Sequence, residues 1–151
     1  MLTQKQVLKE QGNAIGKRPY VLTTNQLAIA IVLGIAFWFV AALAVRFGSG
    51  LGFFGPTASV LAFAAGIPIC WLSVRFSKKA AGLAEGQTLP GIAVGLIAAT
   101  FCDGIALTWG RDLYGTDPAL ITFGAAWILW GVGLFLLFAY LEDLRGTGTA
   151  H

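Results

Sequence analysis

Residues 118–141, PALITFGAAWILWGVGLFLLFAYL, contain no Asp, Glu, Lys, Arg or His. Wound into a helix rising ~1.5 Å per residue, they reach about 36 Å, enough to cross the ~30 Å hydrocarbon layer of a bilayer. Working back along the chain, residues 27–45, 56–76 and 89–109 form three more apolar stretches of near-spanning length, separated by short polar breaks. Across the 151 residues, 57% are hydrophobic and 11% charged, against ~25% charged in an average globular domain. A water-soluble fold of this size must wet its outer face and cannot hide so much apolar surface. The expected fold is all-α: an antiparallel four-helix transmembrane bundle with short loops. Residues 1–25 form a basic tail, 26–141 the membrane domain and 142–151 a short C-terminal tail.

Charge placement sets the expected orientation. With four spans, the N-terminal tail, the second loop and the C-terminal tail share one side. That side carries Lys5, Lys9, Lys17, Arg18, Arg75, Lys78, Lys79 and Arg145, while the other carries only Arg46 and Arg111. The positive-inside rule then places both termini in the cytoplasm. Lys17, Arg18, Arg75, Lys78 and Lys79 read as topology signals that also meet anionic lipid heads, not as a nucleic-acid surface. Ala42-Leu43-Ala44 is a formal signal-peptidase pattern. However, the apolar run before it is too long and follows too long a leader, so the first span is expected to be retained.

The breaks carry recognisable local signals. Thr23-Thr24-Asn25 offers side-chain caps to the first span, and Arg46 is expected to close it. Residues 48–55 contain a literal G-x-G-x-x-G at Gly50, Gly52 and Gly55. That fingerprint binds dinucleotides only between a strand and a helix, so here it reads as a tight turn. Pro56 is expected in the first turn of the second span, and Pro68 inside it must kink it or be accommodated by neighbours. Gln4–Gln11 suggests at most a turn or two of helix in a tail that is loosely ordered, lies on lipid or docks a partner.

One carboxylate falls inside a span. Asp103 lies about six residues, roughly 9 Å, from the outer end of the third stretch. Ionised in hydrocarbon it would cost several kcal/mol, so it should face the bundle interior and take a partner or a proton. It reads either as a proton- or ligand-linked group or as an acceptor tying helices together. Arg46 and Arg111 lie near enough in depth to reach it, and Thr100 could donate its hydroxyl. Gly91, Gly95, Ala98 and Cys102 form a small-residue stripe for close helix packing, which Asp103 is expected to flank. Trp38 and Trp127 lie deeper than an interfacial aromatic belt, as does Trp130. A buried indole N–H needs an acceptor, so one of Trp38 or Trp127 is expected to donate to Asp103 or to a carbonyl beside it. These indoles either pack the core or line a pocket for a lipid tail, quinone or pigment. Cys70 and Cys102 differ by roughly 10 Å in expected depth, too far for a disulfide. With one histidine, His151, at the end of the chain, no metal, haem or nucleophile–base set is expected.

Residues 34–47 (a span ending in Arg46-Phe47), Pro68, Leu89-Pro90-Gly91, Asp103 and the Trp/Gly-rich fourth span together resemble a family of small bacterial four-helix membrane proteins of unknown function. The resemblance covers residues 27–141 and implies an architecture, with no activity attached. The leading expectation is a non-enzymatic protein of the bacterial inner membrane acting through helix contacts. It would be an accessory or assembly subunit of a larger membrane complex, or a homo-oligomer. The alternative is a small dimeric proton- or cation-coupled transporter using Asp103. No resident cofactor is expected.

Overall fold

The computed structural model describes residues 21–147. The expectations for residues 1–20, among them Gln4–Gln11, Lys17 and Arg18, and for 148–151 lie outside the described residues. Within them are four α-helices: α1 (Thr24–Gly50), α2 (Ser59–Ala80), α3 (Thr88–Trp109) and α4 (Pro118–Thr147). A short 3₁₀ turn, Arg111–Leu113, precedes α4, and no strand occurs among the described residues. All four helices are long and apolar enough to cross a membrane.

Helix ends follow hydrogen-bond chemistry more than hydropathy. Thr23 opens α1 with a reciprocal cap: its Oγ1 accepts from the Gln26 N–H at 3.2 Å, and Gln26 Oε1 accepts from the Thr23 N–H at 2.9 Å. Arg46 does not end α1. Its side chain leaves the helix to reach a loop carbonyl, and the backbone continues to Gly50. The turn that follows uses left-handed backbone at Gly52 (φ 78°), which glycine adopts at no steric cost. Pro56 sits in that turn and not in the first turn of α2, which begins at Ser59. There the Ser59 hydroxyl accepts the Gly55 N–H at 3.1 Å.

At its far end α4 continues beyond the apolar run, because the added turn is used. Asp143 accepts from the N–H groups of Thr88 (3.1 Å) and Leu89 (2.8 Å), capping the start of α3 from another helix. Glu142 lies 3.7 Å from Lys78 and 3.8 Å from Arg145. A second polar latch joins Gln26 to Gln87 (3.0 Å) and to the Gly82 carbonyl (2.8 Å).

The helices pack as two close pairs, α1 on α3 and α2 on α4, joined mainly through α3 and α4. The sequence neighbours α1 and α2 touch least of all. Gly34 and Gly95 let α1 and α3 meet at backbone distance, and Gly124 makes room for Val45. One core cluster gathers Ala42, Val45, Phe54, Tyr114 and Ile121; another, Val74, Ile92 and Ala139. Outside these the apolar surface faces outward: only 17% to 28% of the most apolar window of each helix is buried. Val32, Leu61, Leu72, Phe101 and Leu129 are each more than 60% exposed. In water that surface would be strongly unfavourable; against acyl chains it is at home.

Candidate functional site: an Asp–Tyr–Trp chain at the head of an interhelical cavity

The 3₁₀ turn after α3 folds Tyr114 back into the bundle, where it is fully buried beside Val45 and Phe54. Three hydrogen bonds fix this return. Leu113 and Tyr114 close the turn onto the carbonyls of Gly110 and Arg111. The Arg46 guanidinium donates to the carbonyl of Asp112, clamping the turn to the end of α1.

Tyr114 then links two helices. Its hydroxyl donates to Asp103 Oδ1 on α3, while the Trp38 indole on α1 donates to the Tyr114 oxygen at 3.0 Å. The direction of this chain is forced by chemistry. An indole N–H only donates, so the phenol oxygen accepts from it and turns its own proton toward Asp103. Burial, and after it the hydrogen bond to Asp103, hold the Tyr114 phenol above its ordinary pKa, so it stays a donor.

The expected cluster is therefore partly dispersed. Arg46 acts on the turn and not on the carboxylate. Thr100 bonds back to the Leu96 and Ile97 carbonyls of its own helix, at 2.9 and 3.0 Å. Arg111 begins the 3₁₀ turn and is exposed. Trp127 donates to the Ala62 carbonyl on α2 at 2.9 Å, and Trp130 to that of Phe63 at 3.3 Å. Of the two indoles expected at Asp103, Trp38 is at this site, donating to Tyr114 and lying within hydrogen-bonding reach of Asp103, while Trp127 is not. Those carbonyls lie just before Ala64, whose usual helical donor is lost at Pro68. Tyr114 itself was invisible to hydropathy because it lies in a loop. The available signal was a lone tyrosine in a short connection eleven residues from an acid within a span.

Asp103 also differs in its placement on α3. The residues facing inward are Gly91, Gly95, Ala99 and Asp103, at four-residue steps. Ala98, Cys102 and Asp103 are all half-buried, but of the three only Asp103 lines the cavity, so it continues the small-residue stripe instead of flanking it. A four-residue step overshoots a full turn by about 40°, so neighbouring positions of this stripe adjoin while the stripe winds about 120° around α3 from Gly91 to Asp103. Cys70 is buried and Cys102 half-buried, both as free thiols.

Below this chain lies a cavity of about 320 Å³ bounded by all four helices, with Trp38, Trp127, Trp130 and Asp103 in its wall. Among the described residues, Asp103 is the only carboxyl group lining it. No group of three or more His, Cys, Asp or Glu with metal-binding geometry occurs among the described residues. Comparison with known proteins gives no match, whether to a family model, a curated protein or a solved structure.

Proposed function

We propose that the chain is a multi-pass protein of the bacterial inner membrane that works through helix contacts, as an accessory or assembly subunit of a larger complex or as a homo-oligomer. In this reading it belongs with the small bacterial four-helix proteins it resembles. The helices alternate in direction, and both termini lie in the cytoplasm. Lys78 and Lys79 then face anionic lipid heads, each such charge worth ~1 kcal/mol.

The observation that carries this reading is how the polar side chains of the spans are used. Trp38 donates to Tyr114 and Tyr114 to Asp103, Trp127 and Trp130 bond α2, and Ser77, Thr100, Thr108 and Thr122 bond their own helices. The bonds between helices hold the bundle together, the hydroxyls are met within their own helices, and neither set supplies a polar track across it. A second reading, a dimeric proton- or cation-coupled carrier, draws on one fact: Asp103 lines the cavity.

Isolation in mild detergent followed by mass spectrometry tests the first reading. It expects a stoichiometric partner or a defined homo-oligomer that survives Asp103→Asn. Proton-linked uptake in vesicles by a homodimer free of any other subunit, abolished by Asp103→Asn, would replace it with the second.

A further inference from the structure

The interhelical cavity carries its carboxyl group, Asp103, at one end, and elsewhere its polar lining is the hydroxyls of Ser73 and Ser77, the latter donating to the Ser73 carbonyl. Its wall on α3 climbs from Gly91 through Gly95 and Ala99 to Asp103, roughly 18 Å at the helical rise of ~1.5 Å per residue. Set against a volume of about 320 Å³, that length describes a slot. A slot suits an extended hydrocarbon chain better than a fused ring system. Its flank lies between the two helices that touch least, and both contribute lining, Ala41 and Ala44 from α1 and Ile69 and Ser73 from α2. In a bilayer that flank faces acyl chains.

The Asp103 end selects the head group. The donors there are engaged: the Trp38 N–H on Tyr114, and the Tyr114 hydroxyl on Asp103 Oδ1. What remains is acceptor capacity on the carboxylate. An acidic head would meet it with like charge. A head bearing N–H donors and positive charge complements it in both respects, and such bonds are strong where water is excluded.

We propose that this slot binds a single-chain amphiphile drawn from the bilayer, its tail along the Gly91–Gly95–Ala99 wall and its primary ammonium head donating to Asp103. The proposal depends on the helices lying in lipid, and it is independent of whether the protein serves a larger complex.

The test uses the full chain in zwitterionic nanodiscs, with Trp71 and Trp109, which do not line the cavity, replaced by Phe. Three probes share one long alkyl tail tipped with bromine and differ in head: a primary amine, a carboxylic acid and a quaternary trimethylammonium. Bromine quenches the fluorescence of Trp38, Trp127 and Trp130 when the tail enters the slot. The amine should quench saturably at about tenfold lower concentration than either of the others, the value of one charge-assisted hydrogen bond. Asp103→Asn should remove that preference, and Ala99→Phe or Ser73→Leu, in discs that keep their helical signal, should abolish quenching by all three. Equal quenching by the three heads, a preference that survives Asp103→Asn, or quenching unchanged when the slot is filled would overturn the proposal.

Discussion

Gly34 on α1 and Gly95 on α3 touch through their backbones: a Cβ built on Gly34 would lie 2.1 Å from the Gly95 carbonyl oxygen. No rotamer change relieves a clash with a main chain, so any side chain there must push the helices apart. This contact fixes the closer of the two helix pairs and with it the distance over which Trp38 can reach Tyr114.

Gly34→Ala should therefore destabilise the bundle by about 2 kcal/mol or more, at the upper end of overpacking costs. Gly104→Ala, on the same α3 but facing open space, should be neutral or stabilising by up to about 1 kcal/mol, the helix preference of Ala over Gly. Reversible unfolding of the detergent-solubilised protein, followed by circular dichroism, reads both. Equal effects would mean that α1 and α3 do not meet at these glycines.

Tyr114→Phe removes the shared hydroxyl and leaves the Trp38 N–H and Asp103 without each other. The expected loss is about 1–3 kcal/mol, the cost of stranding buried polar groups. Because the groups act as a chain, Trp38→Phe combined with Tyr114→Phe should cost less than the two single losses added together. Strict additivity in a double-mutant cycle would show that the two side chains do not interact.

The phenol also makes a pH prediction. Tyr114 holds its proton more tightly when folded, its pKa raised above the ordinary value of 10.0 mainly by burial and then by Asp103. The sign follows: this contribution to stability is full below about pH 10 and is lost as pH rises from there toward the folded pKa. Ultraviolet titration near the phenolate band should show a late-ionising component in the wild type that Tyr114→Phe lacks. If the substitution removes a component that ionises at or below the ordinary range, Tyr114 is not buried against Asp103.

At the other end of α3, Thr88 and Asp143 should respond in opposite directions. Thr88 Oγ1 is the one buried side-chain polar atom without a hydrogen-bond partner among the described residues. Replacing it with the isosteric Val should be neutral or stabilising, by up to about 1–2 kcal/mol. Asp143→Ala removes acceptors from two N–H groups of α3 and should cost about 1–2 kcal/mol. Thermal unfolding of both variants in one detergent settles the pair, and a destabilised Thr88→Val would mean its hydroxyl has a partner.

How much of this could be read in the chain depends on the range of the physics involved. Apolar runs report the four helices because lipid crossing is a property of each stretch alone. The Thr23 cap and the turn at Gly52 were legible for the same reason, since their partners lie within a few residues. Asp103 was legible as an anomaly, but its partner was not. Tyr114 reaches it only because Arg46 clamps the intervening turn, a contact between distant parts of the chain. Asp143 fell in the expected C-terminal tail, yet it lies within α4 and caps the start of α3. Pro56 was misplaced because proline tolerates a turn as readily as a first helical turn, and the Ser59 hydroxyl decided between them.

Everything above depends on lipid being the solvent for the outward-facing residues such as Leu61, Leu129 and Phe101. Extraction of membranes from expressing cells tests this most directly. The chain should stay in the pellet through alkaline carbonate and high salt, and leave it folded only when detergent is added. Recovery of a monodisperse, helical protein in buffer free of any amphiphile would contradict the account.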